Sequence, residues 1–459
     1  IRDRSKTVRF VERKSKKSLL SLKFSPAIID KNHSEGDKML MNQRTIETDV
    51  CIVGGGTAGV YAAISSAKEG VKTLLTEKSC SLGGTIINGG VDYPGLFFAW
   101  GKRIIGGPCW EVIKECESLG GAVIPEISYC QKDGEHWKEQ IKLNQFIYSY
   151  VIGKHLKQSG ASVLLNTMIC GAEQNSEFVN LYAACQEGLV LIKAKKVVDC
   201  TANADIAAFL GYELQKSDFL QPATLINNIS GYDIDKISEE EVIQATKRAK
   251  ADGKIPAWVK DYELYNSLKG KRISMHIPVK DGTTSAGRTE IEETAVNLLF
   301  ALLSVIRTVK GCENTKVVYT APETGIRETR RIMGETTVTA EDYLSGKQFD
   351  DAISYAFYPV DLHVMDGIKQ KFLKPEILPT IPYSALIPKS SDHLLIAGRC
   401  LSSDTDANSA LRVQAPCMAM GQAAGAAAAI CTKRQISVRK VPIEELKQII
   451  KKQGGILPC

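Results

Sequence analysis

The six residues Gly54-Gly55-Gly56-Thr57-Ala58-Gly59 stand directly after the apolar run Glu47-Thr-Asp-Val-Cys-Ile-Val53. In that order Gly54 permits a tight turn, Gly56 lets backbone amides approach a pyrophosphate, and Gly59 allows the following helix to pack closely on a strand. Thr57 and Ala58 begin that helix, whose unpaired N-terminal amides favour negative charge. Eighteen residues past Gly59 comes Glu77, a carboxylate placed to accept hydrogen bonds from a ribose 2′-hydroxyl and to repel a 2′-phosphate. The pattern reads as a dinucleotide cradle, and both NAD and FAD fit it.

A second set of residues has the chemistry to handle a substrate. Arg327, Arg330 and Arg331 form one cluster, Tyr358, Asp361 and His363 another, and His276 stands apart. Guanidinium groups suit bidentate capture of a carboxylate, and His or Tyr can move the proton that accompanies hydride transfer. Arg327 and Arg331 are the candidates for fixed positive charge, and Tyr358 and His363 for proton transfer. The competing reading of Arg327, Glu328, Arg330 and Arg331 is an internal salt-bridge network, and of His276 a structural histidine.

These residues need a frame. The strand ending at Val53, a helix over Thr57–Glu69 and a strand over Val71–Thr76 make a parallel β-α-β unit. Gln140–Gln158 has helical apolar spacing, Ala161–Ile169 and Glu177–Ala194 read as strand and hairpin, and Lys196–Thr201 as a buried strand. A further apolar strand lies at His393–Ala397, followed by an Ala-rich helix from about Pro416 to Cys431. The expected class is α/β: a Rossmann-like domain with a parallel sheet over 45–210 and 378–435, interrupted by an α+β cap, the substrate domain, over 211–377. Residues 1–44 form a basic extension expected to be poorly ordered, and 436–459 a C-terminal extension.

Composition sets limits. Of 459 residues, 44% are hydrophobic and 24% charged, which argues against wholesale disorder and against a polytopic membrane protein. The net charge of +6 is concentrated in residues 1–44, where twelve Lys/Arg face five Asp/Glu, leaving a near-neutral body. No nucleic-acid or membrane partner is expected from that body. The 13 cysteines include no C-x-x-C pair and no short Cys/His cluster, so no metal site is expected and a reducing cytoplasm is.

More of the chain carries a family pattern. Gly83-Gly84-Thr85, Val197-Val-Asp-Cys-Thr-Ala-Asn-Ala-Asp205, Thr324-Gly-Ile-Arg-Glu-Thr-Arg-Arg-Ile332, Leu395-Ile-Ala-Gly-Arg-Cys400 and Leu411-Arg-Val-Gln-Ala-Pro-Cys-Met-Ala-Met-Gly-Gln-Ala-Ala-Gly425 together resemble the FAD-dependent oxidoreductase family distantly related to fumarate reductase and succinate dehydrogenase flavoproteins. The resemblance implies FAD held by Gly54–Gly59, Glu77, Lys78 and Gly83–Thr85, with Thr201, Gly398, Arg399, Leu411, Arg412 and Val413 also on the cofactor. It implies that the helix near Pro416 aims its positive end at the flavin pyrimidine edge. One departure stands out: Thr201-Ala202-Asn203-Ala204-Asp205 replaces the Thr-Gly-Asp-Gly-Asp usual in relatives, and losing both glycines narrows backbone freedom.

The implied function is hydride transfer between a small organic substrate and flavin N5. The alternatives are a flavoprotein subunit that relays electrons to a redox partner protein and a nucleotide-binding protein without turnover. A homo-oligomer is also compatible with the sequence.

Overall fold

The computed structural model describes residues 44–126 and 135–458. The expected basic extension, apart from Arg44, lies outside the described residues.

Strand β1 (Arg44–Val53), helix α1 (Thr57–Lys68) and strand β2 (Thr73–Thr76) form the anticipated β-α-β unit. β1 pairs in parallel with β2 on one side. On its other side it pairs with the strand Gly188–Asp199, in register from Arg44↔Val190 to Val53↔Asp199. Val50, Cys51, Ile52 and Val53 are all buried, as a central strand covered on both faces requires.

Helix α2 (Gln145–Ser159), capped by the Asn144 side chain, leads into β3 (Ser162–Leu164), which extends the sheet beside β2. Next come β4 (Met168–Gln174), β5 (Val179–Cys185) and β6 (Gly188–Asp199). The sheet order is β3-β2-β1-β6-β5-β4. β6 merges what the sequence suggested were two separate segments, the second hairpin arm and the buried strand. Its first half pairs antiparallel with β5.

The second core belongs to a different segment. β7 (Asn227–Ser230) lies between β8 (Arg272–Ile273) and β9 (Lys316–Thr320), and α3 (Ser285–Ile306) packs with them. Ile229, Leu268, Ile273, Leu302 and Ile306 fill this core, which runs from residue 223 to 326. Val338, Ile353, Ala356 and Val360 instead join the core around α1. There β10 (Val360–Val364) and β11 (Gly367–Lys371) form a hairpin.

The chain then returns to the first sheet. β12 (Leu394–Ile396) pairs in parallel with the second half of β6. Helix α4 (Gln414–Arg434) is buried along nearly its whole length, and its neighbour is α1. A side chain at Gly421 or Gly425 would collide with the Ala58 or Ala62 carbonyl oxygen, so glycine sets how closely the two helices approach. Among the described residues no helix is long and apolar enough to cross a membrane.

Candidate functional site

The glycine loop is shaped by contacts to three segments. Gly54 takes φ +102°, a conformation a side chain would strain, and a Cβ there would press on the Cys200 carbonyl at 2.5 Å. Gly55 N–H donates to Glu77 Oε2 at 2.6 Å, and Ser79 N–H donates to Glu77 Oε1 at 2.8 Å. Glu77 is thus buried at the loop with two backbone donors on its carboxylate and lone pairs to spare. Gly83 N–H closes on the Gly55 carbonyl at 2.8 Å, and a Cβ on Gly84 would come within 2.7 Å of Gly56 Cα.

α1 and α4 are among the helices whose N-termini have no side-chain cap. α1 starts at Gly56 and α4 at Val413, neither with a capping side chain or an acid in its first turn. The first-turn amides of α1 suit anionic ligand atoms, whereas in α4 Ala415 N–H already donates to the Pro94 carbonyl at 2.8 Å and Pro416 has no N–H, which leaves Gln414. The donor set, a bare helix terminus beside a buried carboxylate, fits a dinucleotide with its pyrophosphate and ribose.

The Thr201–Asp205 loop keeps its shape without glycine. Ala202 and Ala204 sit at φ +66° and +53°. Asp199 accepts from Thr201 N–H at 3.0 Å, Thr201 Oγ1 at 2.7 Å and Ile206 N–H at 2.9 Å. Arg399 donates to the Ala202 carbonyl at 2.9 Å and to Asn203 Oδ1 at 3.0 Å. Arg330 reaches the Asn203 carbonyl at 2.7 Å and Asp205 Oδ1 at 2.9 Å. Two guanidinium groups therefore over-determine a backbone that alanine disfavours.

A second cluster assembles from the β10–β11 hairpin and the edge of the second core. His363 Nε2 lies 3.0 Å from Asp361 Oδ2, and His363 Nδ1 lies 3.0 Å from His276 Nε2. Gln370 donates to Asp361 Oδ1 at 2.9 Å. Gln221 Oε1 accepts from His363 N–H at 3.2 Å and from Arg412 at 3.2 Å. Arg327 donates to the Pro222 carbonyl at 2.6 Å and Thr224 Oγ1 at 2.9 Å. Tyr358 bonds Gln140 Nε2 at 3.2 Å and meets His136 edge-to-face at 5.0 Å.

The electrostatics are lopsided. Burial, followed by the charge of Arg412, brings Arg327 down to about 9, with Asp361 opposing. Burial drives His363 down to about 4; the Asp361 hydrogen bond opposes this, and Arg327 and Arg412 reinforce it. Burial raises Asp361, but the His363 bond and the His363 and Arg412 charges prevail and hold it at about 2. Burial pushes Tyr358 up to about 12. Arg412 Nε and His136 Nδ1 are buried without a hydrogen-bond partner among the described residues.

Of the four expected catalytic residues, the structure brings Arg327, Tyr358 and His363 together and ties up Arg331. Arg331 is buried against Glu328, with further bonds to the Ser403 carbonyl at 2.9 Å and Ser217 Oγ at 3.1 Å. Glu328 Oε2 in turn accepts from Gln221 Nε2 at 3.3 Å, so Arg331 sits behind the cluster. On the cofactor side Lys78 and Thr85 are exposed, whereas Leu411 is fully buried in the core. Sequence reasoning missed His136 and Gln221, which carry no periodicity or motif, and placed Arg412 only on the cofactor.

A family model described as FAD dependent oxidoreductase matches residues 49–450. The chain belongs to that family. As an FAD dependent oxidoreductase it is a redox enzyme whose cofactor is FAD, and the glycine loop, Glu77 and the two uncapped helices fit that cofactor. This FAD dependent oxidoreductase is 49% identical over 51 residues to a thiamine thiazole synthase of Methanococcus vannielii, covering 11% of this chain and 20% of that one. It is 27% identical over 167 residues to the Methanococcus maripaludis thiamine thiazole synthase, covering 34% and 57%. A mitochondrial dihydrolipoyl dehydrogenase of Schizosaccharomyces pombe is 50% identical over 44 residues, 10% of this chain and 9% of that one. The chain thus spans less than two thirds of these curated relatives. Among solved structures, a geranylgeranyl bacteriochlorophyll reductase-like protein from Thermoplasma acidophilum aligns at 13% identity and TM-score 0.42, covering 89% of this chain and 84% of that one. At that level the likeness does not bear on function.

Proposed function

We propose that this enzyme transfers hydride between a small organic substrate and flavin N5, with Arg327, Arg412, Tyr358 and His363 around the substrate. Bound FAD supplies the two-electron carrier at N5. Gly54–Gly59, Glu77 and Gly83–Gly84 would hold its adenosine and pyrophosphate half, with Glu77 for the ribose, and the α4 N-terminus would serve the flavin half. Arg412 ends the segment that enters α4 and contacts Gln221 in the histidine cluster. That shared residue is the observation that carries the reading, because it links the flavin helix to the groups able to orient a substrate and move a proton. The second core, residues 223–326, acts as the cap, narrower than the 211–377 anticipated. His363 or Tyr358 then accepts or returns the proton, and Arg327 fixes the substrate. We also assign the protein to the cytoplasm, given free buried thiols such as Cys51, Cys200 and Cys400.

The test is an anaerobic reduction screen of the FAD-loaded protein with organic acids, amines and sugars. A compound that bleaches the flavin in wild type should reduce His363→Ala about a hundredfold more slowly or worse, with FAD content unchanged. If no compound bleaches the flavin and only a partner protein does, the hydride reading fails.

A further inference from the structure

Tyr358 is held at three points and keeps one proton uncommitted. Its N–H donates to Tyr343 Oη at 3.0 Å, and the hydroxyl of the same fully buried tyrosine donates to the Tyr358 carbonyl at 2.7 Å. Its ring meets buried His136 at 5.0 Å, and its hydroxyl oxygen accepts from Gln140 Nε2 at 3.2 Å. A phenol that accepts one hydrogen bond still has its own O–H to give, and none of the described residues takes it. Burial pushes Tyr358 up to about 12, so that proton stays in place at neutral pH.

The groups around that hydroxyl are donors too. A Cβ on Gly95 would overlap Val413 Cγ1 and come within 4.0 Å of Tyr358 Cδ2, which puts the ring at the entrance to α4. Arg412, one residue before Val413, bonds Gln221 Oε1 at 3.2 Å and the Asp361 carbonyl at 3.4 Å, and Arg327 bonds the carbonyl of the adjoining Pro222 at 2.6 Å. The side-chain acceptors of Asp361 and Gln221 are already used. Asp361 Oδ2 lies 3.0 Å from His363 Nε2 and its Oδ1 accepts from Gln370 at 2.9 Å, while Gln221 Oε1 takes the His363 N–H at 3.2 Å as well as Arg412. A ligand that brings ammonium N–H groups meets two cations and filled acceptors, whereas an oxygen lone pair is matched by the Tyr358 O–H.

We propose that the substrate presents an oxygen lone pair, as an aldehyde or ketone carbonyl or the matching alcohol, to the Tyr358 hydroxyl, and that the site discriminates against amines, which are ammonium ions at neutral pH. This rests on the hydride reading above and names the substrate class of that site. Gln140 is a positioning residue: by donating to Tyr358 Oη it turns the tyrosine's proton away from itself and leaves it for the ligand. Tyr343 fixes the backbone from which the hydroxyl is presented.

The test uses the FAD-loaded protein with probes paired by shape: cyclohexanone with cyclohexylamine, and acetophenone with 1-phenylethylamine. Calorimetry near neutral pH gives the affinities, and infrared difference spectroscopy follows the carbonyl stretch of the bound ketone. Each ketone should bind about tenfold or more tightly than its amine, with its stretch moved to lower wavenumber. Tyr358→Phe should weaken ketone binding about two- to tenfold, the worth of one neutral hydrogen bond, and return the stretch towards its unbonded position with FAD content unchanged. Gln140→Glu offers the Tyr358 proton a carboxylate and should reproduce that loss, whereas Gln140→Met, which leaves the hydroxyl free to turn, should lose less. A merely structural Gln140 would lower the melting temperature without moving the carbonyl stretch. The proposal is overturned if neither ketone binds, if an amine binds as tightly as its ketone, or if Tyr358→Phe leaves the stretch in place. Any of these results beside flavin bleaching by another compound leaves the hydride reading standing, and ketone binding as expected without bleaching by any compound sinks the hydride reading alone.

Discussion

Replacing Glu77 by alanine removes the only carboxylate bonded to the glycine loop among the described residues, and the structure separates two consequences. In the protein without FAD, Gly55 N–H and Ser79 N–H lose acceptors at 2.6 and 2.8 Å. Each buried donor left unsatisfied costs about 1–3 kcal/mol, so the pair is worth about 2–6 kcal/mol, and the lower end applies if water reaches the loop. With FAD present, the ribose hydroxyls lose a charged acceptor as well, a further loss of about 1.5–3 kcal/mol, or roughly ten- to hundredfold in Kd. Glu77→Gln should fall between, since its carbonyl accepts from one donor while its amide opposes the other. The assays are a urea midpoint for each stripped protein and a fluorescence titration with FAD. An unchanged midpoint in Glu77→Ala would refute the energetic role of the two loop bonds, and an unchanged Kd would refute the ribose contact.

Two other perturbations follow from backbone and charge. Ala202→Gly and Ala204→Gly each relieve a left-handed conformation that costs alanine about 1–2 kcal/mol, against about 0.5–1 kcal/mol of lost glycine freedom. Each should therefore raise the urea midpoint slightly without weakening FAD; a lower midpoint would show that the two arginines relieve the strain fully. His363 takes a proton near 4 when folded and near 6.5 when unfolded, so its stabilising contribution is complete above about pH 6.5 and drains away as pH falls towards 4. Urea midpoints of the ligand-free protein should fall over that range, and His363→Gln should flatten the fall; parallel profiles would contradict the assignment.

The frame was legible because its signals are local. A continuous apolar strand, three glycines and a helix rich in small residues that returns to a second strand leave few alternatives to β-α-β, and β1, α1 and β2 lie where the pattern puts them. The Ala-rich helix was equally clear, since small residues at that density announce close packing. The cluster around His363 was legible only in part. Tyr358, Asp361 and His363 share one short segment, but Gln221, His276 and Arg412 reach them across long sequence separations that no spacing rule records. For Arg331 the sequence left open both a ligand grip and an internal salt bridge, and its pairing with buried Glu328 is the second. The alanines at 202 and 204 looked like a loss of loop geometry, and the compensation came from Arg330 and Arg399, remote in sequence.

The pairing of α1 with α4 and of β6 with β12 also dictates an order of assembly. Residues 223–326 can close their core from a single stretch of chain. The first sheet cannot be finished so early: β6 waits for β12 at residue 394, and α1, already bonded to α2 through Tyr61 and Tyr148, gains α4 only once residues 414–434 have been made. On the ribosome, which adds about 5–20 residues per second, the amino-terminal half therefore spends many seconds with the Ala58 and Ala62 face of α1 uncovered, while the later segment is already compact. The cofactor cradle is begun by the first strand to emerge and completed by one of the last helices, so a chain stopped short of residue 434 keeps its nucleotide motif but not the surface that steadies it.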